Sequence, residues 1–197
     1  MFPGGNAVNV AVLCKRYGAE HCSYMGLIGD DRAGSHIIHA LRQEGIDISR
    51  IRVAAGPSGE ARVAMTEDGD RVFVGSNRGG VQDLLTLRLN DEDLAYIRSH
   101  DIVHSSVYSH LEHELPKLKD MAVSFDFSTR RDPAYLQLVC PNLTYAFFSG
   151  GRPVERRMPG ACGSRSGVWG PRHRDYAGAQ GPSSQRAEPS TSRASFP

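Results

Sequence analysis

Lysine, leucine and isoleucine are absent from the last 46 residues of this 197-residue chain. Valine, methionine and phenylalanine together occur there four times, with no period. Such a segment cannot bury enough apolar surface to offset the entropy of ordering it, about 1–2 kcal/mol per backbone residue. Arg, Gly, Pro, Ser and Ala supply 32 of the 46. We therefore expect residues 151–197 to be disordered. Two origins fit that composition. One is a genuine basic tail. The other, which we favour, is out-of-frame translation of GC-rich coding DNA, which tends to give the same five residues.

Paired cysteines are also missing. Cys14, Cys22, Cys140 and Cys162 show no C-x-x-C spacing, which excludes a dithiol redox motif and argues against a disulfide framework. Cys14 falls within a helical apolar run and is expected to be a buried thiol. No apolar run approaches the ~18 residues of a membrane span. The N-terminus has no basic region followed by an apolar stretch and a small-residue cleavage site. Together these point to a reduced, cytoplasmic setting with no membrane partner. A uniform charge is lacking too. Residues 1–151 hold 15 Lys+Arg against 19 Asp+Glu, a net −4, whereas the tail holds 8 Arg and 3 acids, a net +5. The acidic part argues against nucleic acid as a partner. The basic tail lacks the interleaved aromatics that stack bases.

What is present is a rhythm of helices and strands. Ala7, Val8, Val10, Ala11, Leu13 and Cys14 recur at helical spacing, with Gly18 as a C-terminal cap. Ser23–Ile28 reads as a strand ended by Gly29-Asp30-Asp31. Residues 34–43 read as a helix that stops at Gly45, and 48–53 as a strand. Residues 61–66 and 71–74 alternate around Glu67-Asp68-Gly69-Asp70, a hairpin with Asp-Gly at its turn. Residues 91–98 form a short helix capped by Asn90 or Asp91. Strands at 102–107 and 123–127 are separated by a helical stretch near 111–119, and another strand runs over 143–148. Strand–helix alternation implies a parallel sheet covered on both faces. The hairpin should stand off that sheet.

Gly4-Gly5-Asn6-Ala7-Val8-Asn9 precedes and opens the first helix. Glycines admit a ligand close to the backbone, and a helix start offers free N–H groups. Asn6 and Asn9 lie three apart, so both amides sit near one helix end, and an amide both donates to and accepts from a hydroxyl. The plainer alternative makes Asn6 an N-cap and Asn9 a solvated residue. The apolar neighbours of Asn9 argue against that, because a polar amide in a buried stripe needs a partner. Gly26–Gly34 is a strand–glycine–helix junction without G-x-G-x-x-G spacing or a Gly-Lys-Ser/Thr loop. A tight turn explains it better than a nucleotide site. Asp126-Phe127-Ser128 ends a strand, where ligands of open α/β sheets sit, and Arg130 and Arg131 follow. The alternative is a capping Asp or Ser before Asp132-Pro133. His100, His104, His110 and His113 straddle a strand and a helix without a metal-ligand spacing, so no metal site is assigned.

The run Gly4-Gly5-Asn6-Ala7-Val8-Asn9-Val10-Ala11-Val12, with Gly18, Gly29-Asp30-Asp31 and Gly34, resembles the N-terminal signature of the PfkB, or ribokinase-like, carbohydrate kinases. Gly45-Ile46-Asp47-Ile48-Ser49, Asp70-Arg71-Val72-Phe73, Asp101-Ile102-Val103-His104 and Phe125-Asp126-Phe127-Ser128 resemble the fructoselysine 6-kinase branch. The resemblance covers residues 4–149. It implies an α/β fold, a ribokinase-like parallel sheet flanked by helices with a small two-stranded β lid, here incomplete. Residues 1–150 would be the N-terminal part of the kinase domain, with the lid at 61–75 and a homodimer through that lid. It implies a small-molecule sugar partner, with Gly5, Asn6 and Asn9 contacting sugar hydroxyls and Asp126 and Arg130 near substrate or phosphate. Ser128 stands where the family's Asp-x-Asn-x-Arg stretch carries Asn.

The departures are as informative. The resemblance implies a strand carrying a sugar-binding Asp before Gly4, and the chain opens at Met1-Phe2-Pro3. ATP and Mg²⁺ are expected for the intact family. Its Asn-x-x-Glu motif should follow residue 148, where Ser149-Gly150-Gly151-Arg152-Pro153-Val154-Glu155 stands instead. Its Asp-Thr-x-Gly-Ala-Gly-Asp motif, which would supply the anion hole and the proton-accepting Asp, does not occur. The expectation is a kinase relative whose own chain carries no catalytic residue. The alternative is a non-catalytic fragment with at most weak sugar binding.

Overall fold

The computed structural model describes residues 3–69 and 71–149. The expectation of disorder for 151–197 lies outside the described residues. So does the mismatched stretch from Gly150 onward.

The first helix, α1 (Asn6–Arg16), starts at Gly5, whose φ of 101° suits a glycine. It ends as expected. Gly18 takes a left-handed φ of 94°, its N–H bonds to the Lys15 carbonyl, and the Ala19 N–H reaches Cys14. Cys14 is exposed, contrary to the expected buried thiol, and Val8 is the buried residue of this helix. The apolar stripe of α1 is therefore narrower than its composition suggested.

β1 (Leu27–Gly29) leads through two residues into α2 (Arg32–Gln43). Asp31 caps α2 by accepting from the Gly34 N–H at 2.8 Å, so the helix begins two residues earlier than the sequence suggested. β2 (Arg52–Ala54) pairs parallel with β1, and the expected strand over 48–53 shrinks to this short piece; a separate bridge joins Ser23 to Asp47, just before that span. β3 (Ala61–Met65) and β4 (Arg71–Ser76) form the antiparallel hairpin, with Gly69 at φ 84° in its turn. A short α3 (Val81–Leu84), not foreseen, follows. Asn90 caps α4 (Asp91–Ile97) through a reciprocal capping box with Asp93.

β5 (Ile102–Ser106), β6 (Ala122–Asp126) and β7 (Tyr145–Phe147) form a three-stranded parallel sheet in that order. The link from β5 to β6 holds one 3-10 turn, Leu115–Leu118, in place of the expected helix near 111–119; Pro116 lies in that turn and cannot donate a backbone bond. α5 (Pro133–Val139) is a second unforeseen helix. Asp132 caps it, and Pro133 sits at its first position, where a missing N–H costs nothing. The expected parallel sheet is thus present in two pieces, β1–β2 and β5–β6–β7. Helices flank both, and the hairpin stands apart as a separate sheet.

The main core lies on the larger piece. Val123, Phe125, Phe127 and Val139 are fully buried, with Leu115, Leu118 and Tyr135 packed around them. Phe127 stacks on Phe148 with ring centres 4.7 Å apart. A smaller core joins Val8, Cys22, Leu41 and Ile46.

Candidate functional site

α1 packs against β5, so its N-terminal end meets residues of β5 and β6. The first helical side chain, Asn6, donates its Nδ2 to the Asp126 carboxylate at the end of β6. The other end of the Asn6 amide faces β5: Oδ1 lies 2.5 Å from His104 Nε2. His104 Nδ1 in turn lies 2.8 Å from the Ser124 hydroxyl on β6. Asp126 Oδ1 accepts from the Ser128 N–H at 2.7 Å, and the Tyr108 hydroxyl donates to Ser128 at 3.0 Å. Three segments, at residues 6, 104–108 and 124–128, therefore converge on one polar cluster.

The chain turns sharply beside it. Ser128 has φ 51°, a left-handed conformation that costs a non-glycine residue roughly 1–2 kcal/mol. The Asp126–Ser128 bond, the Tyr108 bond and a bond from the Ser149 N–H to the Ser128 carbonyl hold it there. Burial lowers the pKa of His104 below the ordinary imidazole value, with the Asp126 charge opposing. His104 is therefore neutral near pH 7. A neutral ring that meets Asn6 Oδ1 through Nε2 carries its proton on Nε2 and accepts from Ser124 at Nδ1.

Of the residues singled out in the sequence, Asn6 and Asp126 are brought into direct contact. Asn6 is the first helical residue and not an N-cap, and Asp126 ends a strand and caps nothing. Gly5 immediately precedes Asn6, and a Cβ built on it meets open space. Asn9 is exposed, so it lies outside any buried stripe. Arg130 points elsewhere: its Nε donates to Asp132 at 2.8 Å and its guanidinium lies 3.5 Å from the Tyr135 ring centre. His104, Ser124 and Tyr108 complete the cluster without having been singled out for it. A histidine and a serine at matching positions of adjacent strands were the available signal, but only the β5–β6 register reveals it.

Among the described residues, no group of three or more His, Cys, Asp or Glu could hold a metal ion. At the Gly29–Gly34 junction, Asp31 occupies the α2 start by binding both Gly34 N and Ser58. A carboxylate there leaves no cradle for an anion.

The sequence pattern of the pfkB family carbohydrate kinases matches residues 1–137. The chain belongs to that family. Among curated relatives, fructosamine kinase FrlD of Bacillus subtilis (strain 168) is 51% identical over 150 residues, covering 76% of this chain and 52% of that protein. Fructoselysine 6-kinase of Escherichia coli (strain K12) is 37% identical over 150 residues, covering 75% of this chain and 56% of that protein. The PfkB chain described here thus spans about half the length of the curated relatives it matches. The fold agrees with solved structures. Ribokinase from Giardia lamblia matches with a TM-score of 0.64 at 18% identity, covering 75% of this chain and 48% of its own. Arabidopsis thaliana ribokinase complexed with ribose and ATP matches with a TM-score of 0.61 at 19% identity, covering 74% and 48%. The PfkB fold therefore accounts for both parallel pieces and for the small antiparallel sheet.

Proposed function

We propose that this chain is the sugar-facing part of a kinase that transfers the γ-phosphoryl group of ATP to a hydroxyl of a sugar or glycated amine, with a fructosamine such as fructoselysine as substrate. The carrying observation is the 51% identity to fructosamine kinase FrlD over 150 residues. The convergence of Asn6 and Asp126 at the start of α1 supports it, since a donor and an acceptor side by side suit a sugar hydroxyl. Gly5 and Asn9 flank that pair on the same helix end, and Arg130 follows on the loop after β6. ATP and Mg²⁺ belong to the intact kinase.

The same reading makes residues 1–150 the N-terminal part of the kinase domain and leaves this chain without turnover of its own. Phosphoryl transfer depends on positioning and charge stabilisation. The sequence contains no Gly-Ala-Gly-Asp. Asp175, the one Asp beyond residue 151, lies in Arg172-His173-Arg174-Asp175-Tyr176. Loss of an anion-hole donor costs about 10²–10³ in rate and loss of a general base about 10²–10⁴. Two measurements on the purified chain test this. Titration calorimetry with fructoselysine should show weak binding, and a coupled ADP-release assay should show none of the ordinary kinase turnover. No binding would refute the sugar-facing assignment, and ordinary turnover would refute the inactivity. DNA downstream of codon 150 that encodes Gly-Ala-Gly-Asp in another frame would establish the out-of-frame origin of residues 151–197.

We also propose a homodimer through the hairpin, in a cytoplasmic setting. Val63, Met65, Val72, Phe73 and Val74 are all exposed on it. A two-stranded hairpin alone is marginal in water, so this one calls for cover. A second copy would bury apolar side chains that this chain leaves bare.

A further inference from the structure

Asn6 could present itself to Asp126 in two ways, related by a half-turn of its amide. In one, the NH₂ faces the carboxylate. In the other, the carbonyl oxygen faces it, and two acceptors repel. Asp126 prefers the first orientation, and His104 enforces it from the far side. His104 Nε2 lies 2.5 Å from Asn6 Oδ1, and only an N–H at Nε2 makes that contact favourable. His104 Nδ1 must then accept, and the Ser124 hydroxyl stands 2.8 Å away to supply the proton. A flip of the amide would break the bonds at both ends.

The consequence concerns the face that Asn6 and Asp126 turn to a ligand. One Nδ2–H of Asn6 is used on Asp126, and the second remains for a ligand oxygen. Each carboxylate oxygen of Asp126 has accepted one bond, from Asn6 and from the Ser128 N–H, and can accept another. A hydroxyl group, which donates once and accepts, fits a donor and an acceptor set side by side. With the amide reversed, the pair would offer acceptors alone.

We propose that His104 is a positioning residue that sets the donor–acceptor polarity of the Asn6–Asp126 pair for one sugar hydroxyl. This rests on the reading that a sugar binds at this end of α1. Ser124 sets the His104 tautomer, and His104 sets the Asn6 amide. The device spans β6, β5 and α1, so no local segment contains it.

Two measurements on the full chain separate this from the sugar-binding reading itself. The first needs no sugar. Long-range ¹⁵N–¹H NMR of the imidazole should show His104 as the Nε2–H tautomer. The side-chain amide signals of Asn6 should move in His104→Phe and return toward their original positions in His104→Gln, whose amide can donate to the same oxygen. Ser124→Ala should increase the Nδ1–H fraction. An Nδ1–H tautomer in the native chain, or unmoved Asn6 signals in His104→Phe, would overturn the proposal. The second measurement is calorimetric binding of fructoselysine. His104→Phe should bind about tenfold more weakly, the effect of roughly one lost hydrogen bond. His104→Gln should recover most of that loss. Equal affinity in His104→Phe and the native chain would overturn the role in recognition. If the native chain binds no fructoselysine, the sugar-facing reading fails, and the tautomer and Asn6 signals still decide whether His104 positions Asn6.

Discussion

Gly34, in the first turn of α2, lies directly against Gly29 at the end of β1: a Cβ on Gly34 would sit 2.1 Å from the Gly29 carbonyl oxygen. Gly29 is crowded as well, since its own Cβ would meet the Gly56 carbonyl at 2.2 Å. The glycines of the Gly29-Asp30-Asp31-Arg32-Ala33-Gly34 run therefore serve close packing of a helix on two backbone crossings. Gly34→Ala should destabilise the fold by about 1–3 kcal/mol or more, because the obstacle is backbone and cannot swing aside. Chemical denaturation of the purified variant checks this. Unchanged stability would mean that the junction is looser than described.

Asn6 and Asn9 should separate in mutational behaviour. Asn9 is exposed, so Asn9→Ala should lower fructoselysine affinity with stability changed by no more than about 0.5 kcal/mol. Asn6→Ala should lower both, because Asp126 Oδ2 and His104 Nε2 each lose the Asn6 amide as partner, at about 1–3 kcal/mol. Parallel calorimetry and denaturation curves would show it. A variant pair with the same stability would contradict the Asn6 contacts.

Glu114 is a buried carboxylate that accepts from the Leu89 N–H at 3.0 Å, Lys117 at 2.7 Å and Arg88 at 3.1 Å. Burial pushes its pKa up, but the bonds from Lys117, Leu89 and Arg88 together outweigh that and hold it below the ordinary 4.5. A depressed folded value means that the unfolded chain takes up the proton first. The stabilisation is complete above the ordinary glutamate range and is lost as pH falls through the folded value. Glu114→Gln should cost about 1.5–3 kcal/mol at pH 7 and flatten that part of the pH–stability curve. An unaltered acid limb would argue against the role.

The Tyr96 hydroxyl donates to Asp47 at 2.5 Å and lies 2.9 Å from Ser23, whose hydroxyl meets His100 at 2.6 Å. The Tyr96 bond is the largest cause holding the Asp47 carboxyl below its usual range. Tyr96→Phe should let Asp47 titrate closer to the ordinary aspartate value, as read by carboxyl ¹³C NMR. The stabilisation that Asp47 contributes is present above the ordinary value and lost on acidification, so the variant should lose less on going to low pH. An unmoved Asp47 titration would assign the shift to the Ser49 N–H instead.

Phe73 is 75% exposed on the hairpin. Phe73→Asp should leave the melting temperature of the isolated chain unchanged at low concentration and shift the dimer toward monomer in analytical ultracentrifugation. A native chain that is monomeric at all concentrations would exclude the hairpin dimer.

Much of this protein was legible because it is local. The 3.6-residue spacing that opens after Gly5 and the glycine at 18 specify α1 within one short window. The Asp-Gly turn specifies the β3–β4 hairpin, and Asn90-Asp91 marks the start of α4, where the structure makes Asn90 the cap. Each rests on bonds between residues a few positions apart. The motif order from Gly4 to Phe127 carried the family as well. Where the sequence misled, the deciding contact was distant or the element short. Residues 111–119 have helical composition, yet they deliver one 3-10 turn. Cys14 sits in an apolar run, yet faces outward because α1 buries so narrow a stripe.

The candidate site divides the same way. Sequence alone determined that Asn6 stands at a helix start and Asp126 at a strand end, because backbone periodicity sets both. Tertiary structure alone decided that they touch across 120 positions, that His104 of β5 grips the other end of the same amide, and that Arg130 turns aside to Asp132. Which strand lies beside which, and which helix end covers them, follows from burying Val123, Phe125 and Phe127 in one core. That burial is a property of the whole chain and is written in no single segment.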